Sequence, residues 1–201
     1  MLRWNPRLQP WSATPEVPRR PSVLPPVPIL AGLLWLACPG TTNAAPAAAP
    51  STLPAWALRA ELQGVTRTAV PPGVRDNHFV VVDHAWLRST FLPFFRGYLV
   101  SLRARASGEG LDCDNFSDLF RSQLIVANIL AGGSRRGEVP CALIIVRPEK
   151  PHARIPADPG GLHQLVAVRT ERGWFVIEPQ TTALSPLHEY PNLETIESIQ
   201  L

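Results

Sequence analysis

The stretch "SGEGLDCDNFSDLFRSQLIVANIL", residues 107–130, joins a glycine-rich segment to a long pattern of apolar residues. Over 116–130 the apolar residues recur at helical spacing, and toward the end they surround the helix axis almost completely. Such a broad apolar face predicts a helix that lies in the protein core. We expect this helix to begin at Asp112 or Cys113 and the segment "GGSRRGE" (132–138) to stop it.

A second helical pattern precedes this stretch. From Asp83 onward the apolar residues are spaced as in an amphipathic helix, and Asp83 itself is a candidate N-cap. Pro93 predicts a kink in this helix or its division in two, because proline cannot donate a helical hydrogen bond. Gly108 and Gly110 are expected to end it. Further upstream, "LRAELQGV" (58–65) fits a short helix and a strand equally well.

The C-terminal half carries strand patterns. "VPCALIIVRP" (139–148) is typical of a buried strand, and "HQLVAVRTERGWFVIEPQ" (163–180) consists of two apolar runs around a turn, as in a hairpin. "TTALSPLHEYPN" (181–192) is predicted to be a loop, and "LETIESIQL" (193–201) to end in a last strand. Helices followed by a run of strands predict an α+β fold with an antiparallel sheet, with the core helix packed on one face of that sheet.

The N-terminal segment differs in composition from the rest of the chain. Eleven of the 23 prolines fall within the first 50 residues. A basic, proline-rich start is followed by an apolar run of about eleven residues within 27–40, and then by small residues suited to cleavage after Ala44 or Ala45. These are the three parts of a secretory signal, which we place at 1–45. The apolar run is too short to span a bilayer as a helix.

The sequence thus predicts three regions: the signal, an Ala/Pro-rich linker at 46–58, and a folded domain at 59–201. Nothing after Ser51 is typical of a membrane span. Export implies a periplasmic, secreted or outer-membrane-anchored protein. Two alternatives stay open: cleavage before Cys38 with a lipid anchor on that residue, and a cytosolic protein with a disordered N-terminal tail.

The charge distribution bears on possible partners. The formal net charge is only +3, and much of the excess comes from four arginines of the N-terminal segment: Arg3, Arg7, Arg19 and Arg20. A nucleic-acid-binding domain needs a basic stripe on a folded face, and the predicted domain has none. We therefore expect no nucleic-acid partner.

Cys113 combines features that act in opposite directions on its thiol. The N-terminus of a helix offers free N–H groups and the positive end of the dipole, which favour the thiolate. The flanking Asp112 and Asp114 disfavour it by like charge. A protonated histidine beside the thiol would tip this balance toward the thiolate.

His163 is the candidate for that role. It begins the first strand of the predicted hairpin, and a turn centred near 171–172 puts it opposite residues 179–180. Glu178 and Gln180 are then its expected neighbours. A thiolate, a histidine base and a third group that fixes the imidazole form the arrangement that cysteine hydrolases use.

These motifs carry a resemblance to a known family. "CDNF" at the helix start, followed by "HQLVAV" and "GWFVIEPQ", resembles the transglutaminase-like cysteine peptidases of bacteria, within the papain-like superfamily, over about residues 80–201. The resemblance implies that Cys113 is the nucleophile, His163 the base and Glu178 the third residue. That third residue is usually Asp or Asn in the superfamily, so either Glu178 or the nearby Gln180 fills the position.

The resulting functional expectation is an exported cysteine-dependent hydrolase or acyl-transfer enzyme. It would act on an amide or ester bond of a peptide, a protein or a small amide through a thioester, without a cofactor. The main alternative is a catalytically inactive domain of the same fold that serves as a binding or structural module at the cell surface.

Two further interpretations concern Cys113. A disulfide with Cys141 would make it structural or redox-active. Zinc ligation by Cys113, His163 and Asp114 is chemically conceivable, but the paired ligand spacings of zinc sites are missing, so we expect no metal.

Overall fold

The computed structural model of the protein describes residues 51–71, 77–104, 112–131, 138–156 and 160–201. Its α-helices are α1 (Ala55–Thr66), α2 (His84–Trp86), α3 (Leu92–Ser101) and α4 (Cys113–Leu130), with a π-helical turn, Leu87–Phe91, between α2 and α3. Its strands are β1 (Thr52–Pro54), β2 (His78–Val80), β3 (Cys141–Val146), β4 (His163–Thr170), β5 (Gly173–Glu178), β6 (Ala183–Pro186) and β7 (Ile196–Gln200). Two short 3-10 helices, Leu187–Glu189 and Leu193–Thr195, lie between β6 and β7.

Five of the strands form one antiparallel sheet in the order β6-β5-β4-β3-β7, and β1 and β2 form a separate two-stranded sheet. In the large sheet β3 pairs with β4 so that Cys141 lies opposite Val168 and Val146 lies opposite His163. The prediction of an α+β fold with an antiparallel sheet is therefore confirmed.

Helices cover both faces of the large sheet because its strands are apolar on both sides. On one face Leu58 and Leu62 of α1 join the cluster that contains Leu165 and Val176. On the other face α3 and α4 pack over the alternate residues of the same strands, and this cluster includes the buried side chains Phe95, Phe116, Phe120, Leu124, Leu143, Val166, Val168 and Ile177. The core helix α4 thus packs one face on the sheet, as predicted. Its C-terminal end is not covered all round, since Val126, Ile129 and Leu130 are about half exposed.

The segment from His84 to Ser101 contains the predicted interruption at Pro93. Asp83 caps its first turn, because its carboxylate accepts a hydrogen bond from the Trp86 N–H at 2.7 Å. The N–H of Leu92 then bonds to the carbonyl of Leu87, five residues back, so the chain takes one wide turn before α3 begins. This turn accommodates Pro93, which lacks an N–H and would crowd the preceding carbonyl of a regular helix.

Two sequence-based boundaries are wrong. The linker predicted at 46–58 overlaps the folded domain, since β1 begins at Thr52 and Leu58 of α1 is fully buried. The loop predicted at 181–192 contains strand β6, which pairs with β5. Both strands are short and carry proline, so neither shows the alternation by which longer strands are recognised. The undecided segment 58–65 is helical.

Helix α4 begins at Cys113, as predicted. The predicted signal at 1–45, Gly108, Gly110 and most of the predicted stop at 132–138 lie outside the described residues. Within the residues that are described, no helix is long and apolar enough to cross a membrane.

Candidate active site

Cys113 is the first residue of α4 and is half-buried. Side chains of the same turn bind the backbone around it: the Asp112 N–H donates to Asn115 Oδ1 at 3.4 Å, and the Asn115 N–H donates to Asp114 Oδ1 at 2.8 Å. The first backbone hydrogen bond of the helix reaches the Asp112 carbonyl from the Phe116 N–H at 3.1 Å. The Cys113 N–H precedes it and lies among the unpaired donors of a helix N-terminus.

Ser117 connects the start of α4 to the start of β4. Its hydroxyl lies 2.7 Å from the Cys113 carbonyl oxygen and 3.2 Å from the carbonyl oxygen of Gln164. The side chain is fully buried, so water does not compete for these contacts. This hydroxyl therefore holds the first turn of α4, which bears Cys113, against the main chain of Gln164. Gln164 is the residue that follows His163.

His163 and Glu178 form a close pair. His163 Nε2 lies 2.5 Å from Glu178 Oε2, and the two side chains are 14% and 2% exposed. The register of the hairpin explains the pairing: Val166 lies opposite Ile177, and the same register extended outward places residue 163 opposite residue 180. Residue 178 is then the diagonal neighbour on the same face, within reach of a long side chain.

Gln180 takes a supporting position. Its backbone N–H donates to Glu178 Oε1 at 3.1 Å, so both carboxylate oxygens of Glu178 are engaged. The Glu178 carbonyl also accepts a hydrogen bond from the Thr182 N–H at 2.8 Å. Of the two residues that the sequence offered as partner of the imidazole, Glu178 is the one in contact with the ring, and Gln180 holds that carboxylate through the main chain.

The thiol and the imidazole are not directly bonded. In the part of the chain that the structure describes, no hydrogen bond joins Cys113 Sγ to the ring of His163. Glu178 occupies Nε2, so Nδ1 is the ring nitrogen available to the thiol. Catalytic hydrogen bonds are often long before a substrate binds, so this geometry is compatible with a cysteine–histidine pair.

Tyr190 and Asn192 lie close to this pair and escaped the sequence analysis. Burial raises the pKa of the Tyr190 phenol; a side-chain hydrogen bond with Asn192 acts against this, and the negative charge of Glu178 adds to it. Asn192 is buried and accepts hydrogen bonds from the N–H groups of Glu149 and Lys150 at 2.9 and 2.7 Å. It thereby holds the loop after β3 beside the candidate site. No pattern in the sequence marks either residue, because both act through contacts with distant segments.

Cys141 has no part in this site. Cys113 and Cys141 are both free thiols in the structure, so they do not form the disulfide of the alternative interpretation. The reason is geometric. Ser117 holds the start of α4 beside Gln164, and Gln164 lies opposite Ile145 of β3. Cys141 lies four residues from Ile145 along the same strand, a distance of roughly 13 Å. Burial raises the pKa of the Cys141 thiol to about 12.

The zinc interpretation gains no support from the geometry. Among the described residues, no group of three or more His, Cys, Asp or Glu side chains is arranged to hold a metal ion.

Comparison with known proteins rests on solved structures alone. No protein-family model matches the sequence, and no similar protein was found among curated proteins. The chain is similar to a lectin of Polyporus squamosus, solved with the human-type influenza-binding epitope Neu5Acα2-6Galβ1-4GlcNAc, at 14% identity and a TM-score of 0.55. This likeness covers 75% of the chain and 49% of the lectin.

A second similar structure is a complex of PSL1a with E64, at 13% identity and a TM-score of 0.50, covering 75% of this chain and 51% of the other. The chain thus spans about half the length of each structure it matches. At these identities the likeness shows the fold alone. The fold of this chain is therefore an α+β domain similar to about half of each of these two proteins.

Proposed function

We propose that this chain is an exported cysteine-dependent hydrolase or acyl-transfer enzyme with a papain-like, transglutaminase-like fold. The observation that carries the proposal is the 2.5 Å contact between His163 and the buried carboxylate of Glu178. It lies at the start of a strand whose Gln164 carbonyl is contacted by Ser117 of the helix that begins at Cys113. A histidine oriented by a carboxylate next to a thiol at a helix N-terminus is the minimal machinery of cysteine hydrolases.

The chemistry follows from the roles of three side chains. His163 takes the proton of the Cys113 thiol, and the thiolate attacks the carbonyl carbon of an amide or ester. The tetrahedral intermediate collapses to a thioester as His163 gives its proton to the leaving amine or alcohol. His163 then takes a proton from water or from an acceptor amine, which attacks the thioester and returns Cys113 to its thiol form.

Glu178 orients the base. With Nε2 held at 2.5 Å by the carboxylate, Nδ1 becomes the nitrogen that exchanges a proton with Cys113. The extra methylene of Glu, compared with the Asp that is usual in the superfamily, suits a diagonal position on the neighbouring strand. The Gln180 N–H on the other carboxylate oxygen keeps this longer side chain in place.

The negative charge that develops on the substrate oxygen needs donors. The Cys113 N–H lies at the helix N-terminus, where the dipole also favours an anion. A backbone N–H in this position is a typical oxyanion donor of acyl-transfer enzymes, and removing one such donor costs on the order of 10²–10³ in rate.

A second candidate function is a binding or structural module without catalysis. The absence of a hydrogen bond between Cys113 and His163 in the described residues favours it, and one structural neighbour is a lectin with a bound glycan. That lectin is about twice as long as the matched part, so its glycan site need not lie in the half that this chain resembles.

The two candidates are separated by a burst experiment with p-nitrophenyl acetate and the full chain. We expect rapid release of p-nitrophenolate, about one per protein molecule, with the acetyl group found on Cys113 by peptide mass mapping. The Cys113→Ala protein should lose the burst and the Cys141→Ala protein should keep it. A Cys113→Ala protein that releases p-nitrophenolate as fast as the parent would leave only the binding or structural module.

A further inference from the structure

A cleft of about 810 Å³ lies between the helical segment that starts at His84 and the edge of the sheet formed by β5 and β6. The helical side contributes Arg88 and Arg96, and the sheet side contributes Phe175 and Thr182. Arg154, from the loop after β3, completes the wall. None of these residues belongs to the proposed catalytic group.

The cleft is strongly basic. Three guanidinium groups line it, those of Arg88, Arg96 and Arg154, and no aspartate or glutamate does. All three arginines are exposed, and none forms an ion pair with a carboxylate in the described part of the chain. Other arginines of the domain are neutralised: Arg147 pairs with Glu197 at 2.9 Å and Arg169 pairs with Glu61 at 2.6 Å. Unpaired cations gathered in a concave, partly apolar surface favour an anionic ligand.

His84 adds a polar atom without a partner. Its side chain lines the cleft and is only 7% exposed, with the ring 4.4 Å from that of Phe175. Its Nδ1 is buried and makes no hydrogen bond within the described structure. Its backbone is held in place, since the His84 N–H donates to Glu171 Oε2 at 2.7 Å. A buried nitrogen left unsatisfied in a binding cleft is consistent with a partner that the ligand supplies.

The origin of the arginines indicates the charge of that ligand. Arg88 and Arg96 are eight residues apart on the helical segment, which is roughly 12 Å of backbone along a helix axis. Arg154 comes from a separate loop. A ligand that neutralises all three guanidinium groups carries more than one acidic group.

The sheet side of the cleft suits an extended chain. Strand β6 is the edge strand of the five-stranded sheet, so one side of its main chain has no neighbouring strand among the described residues. Such an edge can bind a peptide through backbone hydrogen bonds. The N–H of the lining residue Thr182 donates to the carbonyl of Glu178 at 2.8 Å, so the turn that lines the cleft also follows the strand end that bears Glu178.

We infer that this cleft binds an extended acidic segment of a polypeptide substrate and delivers the adjoining bond to Cys113. This assignment of substrate class rests on the proposed function, whereas the binding itself does not. Arg88, Arg96 and Arg154 recognise acidic side chains of this segment.

The test is a binding titration with the full-length Cys113→Ala protein, which cannot process a peptide. The probe is a fluorescein-labelled nonapeptide of Ala, Thr and Val with two glutamates four residues apart, followed by fluorescence anisotropy at low ionic strength. We expect it to bind at least about tenfold more tightly than the same peptide with glutamines.

Arginine variants assign the site. Arg88→Gln and Arg96→Gln should each weaken binding of the glutamate peptide by about threefold to tenfold and leave binding of the glutamine peptide unchanged. Arg67→Gln is the matched control, because Arg67 is exposed and follows α1 on the opposite face of the sheet. Equal binding of the two peptides, or an equal loss in Arg67→Gln, would overturn the assignment.

Citrate distinguishes a peptide site from a site for small anions. It carries three carboxylates but has no main chain to pair with β6, so we expect it to displace the peptide only at far higher concentration. Displacement by citrate at the concentration of the peptide itself would refute the peptide assignment. If the parent protein shows no p-nitrophenyl acetate burst while peptide binding is intact, the proposed function is rejected and the cleft remains an acidic-peptide site.

Discussion

Nε2 of His163 and Oε2 of Glu178 lie 2.5 Å apart, although the two residues are 15 positions apart in sequence and stand on different strands. The hairpin register makes them diagonal neighbours, and burial of the carboxylate to 2% exposure shields the contact from water. A hydrogen bond to a buried carboxylate is strong and directional, so it fixes the orientation of the imidazole. The pair therefore gives the candidate site its most specific feature.

Replacing Glu178 tests that feature. Glu178→Gln keeps the length of the side chain but removes its charge, so we expect the reaction of Cys113 with iodoacetamide near neutral pH to slow by about tenfold or more. Any acyl-transfer activity should fall by about 10²–10⁴, as expected when the third member of a triad is changed. Gln180→Ala is the matched control, because Gln180 contacts Glu178 through its backbone N–H, which alanine retains. Equal losses in the two variants would contradict an orienting role for Glu178.

The two described cysteines should differ sharply in reactivity. Burial raises the pKa of Cys141 to about 12, so its thiolate is scarce at every pH up to 9 and its sulfur is inaccessible. Cys113 is half-buried at a helix start. We expect iodoacetamide to label Cys113 at least about 100-fold faster than Cys141 at pH 7–9, measured by peptide mass mapping over time.

The His163→Ala variant sharpens this measurement. It should slow the labelling of Cys113 and leave that of Cys141 unchanged, whereas urea should bring both thiols to similar rates. Slow and equal labelling of both cysteines in the folded protein would argue against any activation of Cys113.

The sequence was sufficient for the parts of the fold that depend on periodicity. The helix start at Cys113 and the strands at 141–146, 163–170 and 173–178 follow from long apolar patterns and from a clear turn. The hairpin register also follows from the turn, which is why the sequence alone predicts Glu178 as a neighbour of His163.

Other parts depend on contacts between distant segments and leave no local pattern. Strand β6 is short and ends in proline, and it is a strand only because β5 offers it an edge. Ser117 looks like any serine in a helix, yet its hydroxyl reaches Gln164, 47 residues away. The basic cleft likewise gathers Arg88, Arg96 and Arg154 from two separate segments of the chain.

Phe120 holds α4 against α3 and should be a major contributor to stability. It is fully buried, with edge-to-face contacts to Phe91 and Phe95 at ring distances of 5.2 and 4.9 Å. We expect Phe120→Ala to lower the free energy of unfolding by about 3–5 kcal/mol, measured by urea denaturation. Ile129→Ala on the same helix is the control, since Ile129 is 54% exposed and should cost less than about 1 kcal/mol. A loss below about 1 kcal/mol for Phe120→Ala would show that this helix packs differently.

Ser117 offers the most direct test of how the fold positions the nucleophile. Its buried hydroxyl contacts the carbonyls of Cys113 and Gln164, so Ser117→Ala removes the only side-chain link between the two that the described structure contains. We expect a loss of about 1–2 kcal/mol in the free energy of unfolding, because the Gln164 carbonyl is left without this donor. The alkylation of Cys113 should also slow by about threefold or more, since the thiol is held less firmly beside the start of β4.

The matched control for this substitution is Ser122→Ala. Ser122 makes the same type of bond, from its hydroxyl to the carbonyl of Asp118 four residues back at 2.9 Å, but on the exposed side of the same helix. Its removal should change neither stability nor the alkylation rate appreciably. If Ser117→Ala destabilises the protein while Cys113 reacts at the parental rate, then Ser117 is a packing residue and the position of the thiol is fixed by the helix alone.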